Sequence, residues 1–269
     1  MPRLALIQMR VEGGQPEANL RRAQDRIATA ADAGAEMVVL PEALNLGWTH
    51  PSARDWAESA DDGPTPRLLS EAARRHRVWI CAGFVERQGD QVFNAALLID
   101  SQGERRLLYR KLHELDLARE FYQVGDRLGV VETPWGRVGV MICADAFAPG
   151  QVISRTLGWM GARLIVSPCA WAVTAEHDPV AEPYGQLWED HYGPVAREFG
   201  LYIAGVSNVG SLTAGPWQGR RCIGCSLLVG PDGRVILKGP YGEDADTILH
   251  ADCELGGVRP RVPDAPPRR

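Results

Sequence analysis

Three residues whose types can work together on a carbonyl each stand directly after an apolar, β-rich run: Glu42 ends VVLPE, Lys111 ends RRLLYRK and Cys143 ends VGVMIC. A thiol becomes a strong nucleophile when its proton is removed, and histidine is the usual base. The histidines are His50, His76, His113, His177, His191 and His250, and none stands in a recognised cysteine-histidine context. A carboxylate raised in pKa by burial can take the proton instead, with a nearby lysine favouring the thiolate. Alone, a cysteine closing a strand is more often inert packing, and a Glu or Lys at a strand end is usually a solvated residue. Together the three form a coherent set.

The elements that must position them alternate. RLALIQM and EMVVLPE read as strands, joined by a helix that Pro16 opens, that carries Leu20, Ala23, Ile27, Ala30 and Ala31, and that Gly34 closes. A second helix begins near Pro66, shows Leu68, Leu69, Ala72 and Ala73 on one side, and ends in RRHR. VWICAGF follows as a buried strand, then VFNAALLIDSQGERRLLYRK as a hairpin about Ser-Gln-Gly. From Arg137 the plan returns: strand RVGVMIC, helix around 150–161, strand RLIVSP, helix around 185–199, strand LYIAGVS, hairpin CSLLVGPDGRVILKG. Two halves built on one plan predict mixed sheets covered by helices, able to stack sheet on sheet. Polar residues at the ends of parallel strands then face a ligand crevice. Residues 1–255 read as one domain. The Pro- and Arg-rich tail, 256–269, cannot form a core of its own.

The 269-residue chain is 45% hydrophobic with a formal net charge of -5, which gives no electrostatic reason to expect nucleic acid. No run reaches the length of a membrane span, and the apolar stretch Leu4 to Met9 is too short for a signal peptide. Six scattered cysteines without a secretory signal point to reduced thiols in the cytoplasm. Cys222 and Cys225, in CIGC, have the spacing of a redox or zinc half-site, but the second half is missing and alternation turns them to opposite faces. Cys81, Cys169 and Cys253 read as packing, no metal is expected, and the expected partner is a small molecule.

VVLPEALNLGW, LYRKLHELD and GRVGVMICADAFAP, in that order, resemble the carbon-nitrogen hydrolase family, also called the nitrilase superfamily. The likeness runs over nearly the whole chain, from LALIQM through VFNAALLIDSQG to SLLVGPDGRV. It implies an αββα sandwich, commonly paired into a homodimer, and a Glu-Lys-Cys triad at Glu42, Lys111 and Cys143. It also implies a further glutamate after the lysine. Glu120, in REFYQVGD, is expected to fill that position, with Glu114 the alternative because the spacing is compressed. The implied chemistry is attack by the Cys143 thiolate on an amide carbonyl, with Glu42 as base and the oxyanion held by Lys111 and the Ala144 N–H. No metal or organic cofactor is required.

Nitrile-cleaving members carry Trp-Glu after the nucleophile, where this chain has Ala144 and Asp145. Cys-x-Asp is closer to the amidases and N-carbamoyl hydrolases, so amides or ureido compounds are the expected substrates. An acyltransferase using the same thioester and a nitrile hydrolase are the alternatives, with a catalytically silent interaction protein behind them. The usual Pro-Glu a turn later is Pro149-Gly150 here. In the connection 169–192, Trp171, Tyr184 and Trp188 could line a pocket for an apolar substrate part, and Glu182, Glu189 and Asp190 could favour a cationic one. No arginine follows Cys143 before Arg155, which disfavours N-carbamoyl amino acids.

Overall fold

The structure, a computed structural model, describes residues 1–255; the expected tail lies outside the described residues. The first half runs β1 (Arg3–Gln8), α1 (Pro16–Asp32), β2 (Met37–Val39), the one-turn α2 (Ala53–Trp56), α3 (Pro64–His76), β3 (Trp79–Gln88), β4 (Gln91–Ile99) and β5 (Arg105–Arg110). The second runs β6 (Val130–Thr133), β7 (Gly136–Val140), α4 (Val152–Trp159), β8 (Leu164–Cys169), β9 (Ala172–Val173), α5 (Gln186–Phe199) and β10 (Tyr202–Ser207). It ends in β11 (Val209–Ser211), β12 (Arg221–Ile223), β13 (Leu227–Val229), β14 (Val235–Lys238) and β15 (Thr247–Asp252).

Two six-stranded sheets result, ordered β15-β1-β2-β3-β4-β5 and β14-β13-β10-β8-β7-β6, beside a small sheet β11-β12-β9. In the first, β1, β2 and β3 are parallel, and β4 and β5 follow antiparallel. In the second, β7, β8 and β10 are parallel, and β13 and β14 follow antiparallel. The repeated plan legible in the chain is thus the topology. Besides β9 and β11 of the small sheet, two strands of the large sheets were not expected: β15 lies antiparallel on the outer edge of β1, and β6 on that of β7. They complete the symmetry of the two sheets.

Side-chain alternation sorts the layers. Leu4 and Leu6 join Val138, Val140, Leu164 and Val166 between the sheets. Ala5 and Ile7 turn the other way, onto Leu20, Ala23 and Ile27 of α1 and Leu69 of α3. On the far side, Ile165 and Ile203 pack against Leu157 of α4 and Val195 and Phe199 of α5. The order is helices, sheet, sheet, helices, the αββα sandwich that the resemblance implies. Each fully buried Leu, Ile or Val adds roughly 1.5–3 kcal/mol, so the strand ends that carry the site are firmly held.

Two helices differ in their bounds. α3 begins at Pro64 rather than near Pro66, since proline at a first turn forfeits no hydrogen bond. α4 is shorter than 150–161 because Gly150 and Gln151 take left-handed φ of 67° and 50°, leaving Pro149–Gln151 as a separate turn.

Candidate functional site

Glu42 stands three residues past β2, where the two sheets are tied together: its N–H donates to the Cys169 carbonyl at the end of β8, 3.2 Å away. On its other side β3 comes very close. The Gly83 N–H donates to the Pro41 carbonyl at 3.0 Å, and a Cβ on Gly83 would lie 2.6 Å from the Glu42 Cα. Only glycine fits there. Gly83→Ala is expected to cost about 1–3 kcal/mol of stability and to displace Glu42. Urea denaturation and kcat measure both, and an unaltered kcat would count against the placement.

Lys111 follows β5, which runs in the direction of β2, so both residues leave their sheet at the same end. The Lys111 N–H donates to the Asn94 carbonyl at 2.9 Å, and the Asn94 side-chain amide donates to Glu42 Oε1 at 2.6 Å. The Lys111 ammonium donates to that same oxygen at 2.8 Å and stands 3.6 Å from Glu114 Oε2. All four side chains are buried. Burial alone would lower the Lys111 pKa, but Glu114 and Glu42 outweigh it and hold the amine well above its ordinary value. It is a fixed cation.

Of the two glutamates, Glu114 rather than Glu120 stands beside Lys111. Glu120 lies exposed at the end of a 3₁₀ turn, Asp116–Glu120, which turns Ala118 inward and leaves Arg119 and Glu120 to solvent. Glu114, three residues after Lys111, reaches the ammonium directly. Burial raises the Glu114 carboxyl to about 7 from 4.5, with Lys111 opposing. Folded Glu114 therefore keeps a proton that the unfolded chain gives up in that interval. The stability this contributes is complete below pH 4.5 and is lost as pH rises through about 7, a change on the order of 3 kcal/mol. Glu114→Gln holds a neutral amide there at every pH. Its urea midpoint is expected to fall less between about pH 5 and about pH 8 than that of the unsubstituted protein, and an equal fall would refute the assignment.

Cys143 begins a 3₁₀ turn, Cys143–Phe147, straight after the β7 run, with φ of 45°. The left-handed region is unfavourable for a residue with a Cβ and is held only by its surroundings. The Cys143 N–H donates to Ser167 Oγ at 3.1 Å, and the preceding Ile142 N–H donates to Asp145 Oδ2 at 2.8 Å. The thiol is half-buried. Burial, contact with the Cys169 thiol and the Glu42 charge push its pKa well up, and Lys111 pulls it down. The net effect is a neutral thiol at rest, which needs a base at the moment of attack. Ala144 is buried within the same turn.

Trp171 and Trp188 are stacked, ring centroids 4.2 Å apart, and the Trp188 indole N–H donates to the Tyr184 hydroxyl at 3.1 Å. They belong to the cluster against which Cys143 packs. Phe147, four residues past Cys143, was not singled out in the sequence, yet its ring lies 4.5 Å from that of Trp188. Of the acids of this segment, Glu182 is exposed and lies 3.7 Å from the His177 ring beside Tyr184, Glu189 pairs with Lys238 at 3.1 Å, and Asp190 accepts from Gln186.

All six cysteines are free. Cys222 packs with Trp48 and Tyr122, while Cys225 packs with Ile203 and Leu227, so CIGC does face two ways. Among the described residues no group of three or more His, Cys, Asp or Glu is placed to hold a metal ion. Nor is any of their helices long and apolar enough to cross a membrane.

Residues 3–261 match the carbon-nitrogen hydrolase family. A protein of Yersinia enterocolitica named deaminated glutathione amidase is 31% identical, covering 95% of this chain and 88% of its own. One of Pyrococcus abyssi named nitrilase is 30% identical, covering 95% and 91%. Among solved structures, a carbon-nitrogen hydrolase from Helicobacter pylori superposes with a TM-score of 0.84 at 22% identity over 94% of this chain and 89% of its own. An amidase from Nesterenkonia, whose active-site cysteine has added acrylamide, gives 0.79 at 20% identity over 95% of each. The chain therefore belongs to the carbon-nitrogen hydrolase family and is a hydrolytic enzyme of the nitrilase superfamily.

Proposed function

We propose that the protein hydrolyses the C–N bond of an amide or N-carbamoyl compound through a thioester on Cys143. What carries this reading is the buried ion cluster: Glu42 and Lys111 share a 2.8 Å contact, and both act on the thiol that heads the turn after β7. Glu42 takes the thiol proton as sulfur attacks the carbonyl carbon. Negative charge moves to the carbonyl oxygen, where Lys111 and the Ala144 N–H receive it. The C–N bond breaks as Glu42 returns the proton to nitrogen, and ammonia or an amine departs. Water then gives a proton to Glu42 and attacks the thioester. The acid product leaves, and Cys143 recovers its proton. Glu114 holds the Lys111 ammonium in place.

The name of the Yersinia relative, deaminated glutathione amidase, favours amides, whereas the Pyrococcus relative is named nitrilase. Ala144 and Asp145 after the nucleophile favour amides over nitriles. The stacked Trp171 and Trp188, with Tyr184 bonded to Trp188, belong to the cluster against which Cys143 packs and would favour an apolar part of the substrate. Free cysteines support a cytoplasmic setting, and exposed Val152 and Trp159 on α4 with Leu187 on α5 support pairing of two copies.

The test is ammonia release from a panel of aliphatic amides, ureido compounds and carbamoyl amines, with acid-quenched samples searched for an acyl adduct on the Cys143 peptide. Ammonia together with an adduct is the expected result. An adduct that forms and passes to an added amine faster than to water would make the protein an acyltransferase. No ammonia and no adduct from any compound would overturn the thioester reading.

A further inference from the structure

Asp145 lies two residues beyond Cys143, fully buried, and no step of the reaction uses it. Its carboxylate nevertheless accepts four hydrogen bonds from two separate parts of the chain. Oδ2 accepts the Ile142 N–H at 2.8 Å and the Tyr109 hydroxyl at 2.6 Å. Oδ1 accepts the His113 N–H at 2.8 Å and the Leu112 N–H at 3.2 Å. Ile142 immediately precedes the strained Cys143. Tyr109, Leu112 and His113 bracket Lys111 on both sides.

The pattern crosses the molecule. Tyr109 belongs to β5 of the first sheet, with its ring in the core between the sheets, whereas Asp145 sits on the turn that continues β7 of the second. The other directional ties between this loop and this turn are indirect, running from Lys111 through Glu42 to Cys169 and from Ser167 of the same strand to Cys143. Directional bonds from one carboxylate to both restrict their relative position. We infer that Asp145, with Tyr109 as its partner, is a positioning residue that sets the Lys111 ammonium against the Cys143 thiol. The inference rests on the reading of Cys143 as the nucleophile.

Two substitutions separate position from charge. Tyr109→Phe keeps the carboxylate and deletes one donor. Asp145→Asn keeps the size and turns an NH₂ group toward the Ile142 N–H whenever its oxygen serves Leu112 and His113, so one bond becomes a donor-donor contact. Loss of the negative charge alone would ease thiolate formation. Loss of position would hinder it by taking the cation away. The two explanations thus predict opposite signs in Asp145→Asn.

The experiment follows alkylation of Cys143 by iodoacetamide across pH, read by mass spectrometry of the Cys143 peptide, with thermal melts as a check of folding. It needs no amide substrate, so it stands apart from the ammonia assay. In both variants, alkylation at neutral pH is expected to slow roughly tenfold and its inflection to move to higher pH. Where substrate is known, kcat should fall with KM nearly constant. Folded variants with an unchanged rate and inflection would overturn the proposal, as would faster alkylation in Asp145→Asn. If Asp145→Asn does not fold, Tyr109→Phe decides alone: a slower rate and raised inflection support the proposal, and unaltered values overturn it.

Discussion

Cys143→Gly and Cys143→Ala are both expected to abolish turnover, yet to differ in stability, with the glycine variant the more stable by about 1 kcal/mol. Both remove the sulfur on which the proposed thioester forms, so the loss in kcat should be of the order of 10⁴ to 10⁶, the range reached when a nucleophile acting as part of a unit is deleted. Stability responds to something else. Cys143 holds φ of 45°, a conformation that alanine also finds unfavourable and glycine adopts freely. The backbone there is bent so that the thiol stands out beside the first sheet, and Ser167 and Asp145 hold the bend. Urea midpoints and residual kcat for the pair test both halves. Equal midpoints would show that the turn is relaxed, and residual activity in either variant would remove Cys143 from the chemistry.

Lys111→Met is expected to stop turnover and to destabilise the fold by about 3–5 kcal/mol, the usual cost when one partner of a buried ion pair is removed. In the native protein the ammonium faces two buried carboxyls, Glu42 at 2.8 Å and Glu114 at 3.6 Å. Without it they share one apolar site and each hinders ionisation of the other. Both would be driven toward the protonated form. Because the unfolded chain releases those protons freely, the loss should deepen as pH rises above the ordinary carboxyl range. Urea denaturation at about pH 5 and about pH 8 should show a larger deficit at the higher value. Adding Glu114→Gln should recover part of the stability but none of the activity, since the proposed oxyanion site still lacks its cation. A single variant as stable as the native protein at both pH values would mean that Lys111 is not the charge holding the cluster.

The three reactive types were legible because each ends an apolar run, and a strand end is where a crevice opens. The repeated plan was legible because its periodicity is strong. The aromatic-glycine context after Glu120 makes it the expected glutamate, with Glu114 the alternative; the 3₁₀ turn sends Glu120 outward, and Glu114 is the one placed beside Lys111. Asn94 and Ser167 stand as single polar residues inside VFNAALL and LIVSP, a signal that was present and went unused. The bonds of Asp145 to Tyr109, Leu112 and His113 span more than 30 positions, and no local pattern encodes them. β15 escaped because TILHAD mixes polar with apolar residues and is only partly buried on the outer edge of β1.

The division of Glu42 and Lys111 from Cys143 between the two sheets has a consequence during synthesis. By the time residue 143 leaves the ribosome, every group of the proposed triad has been made. The thiol turn still lacks Ser167, the Glu42 loop still lacks the Cys169 carbonyl, and β1 keeps an open edge until β15 arrives near the end of the described chain. A chain cut before Ser167 lacks the bonds that hold the thiol turn and the Glu42 loop, and its Cys143 is expected to react with iodoacetamide no differently from a cysteine in an unfolded peptide.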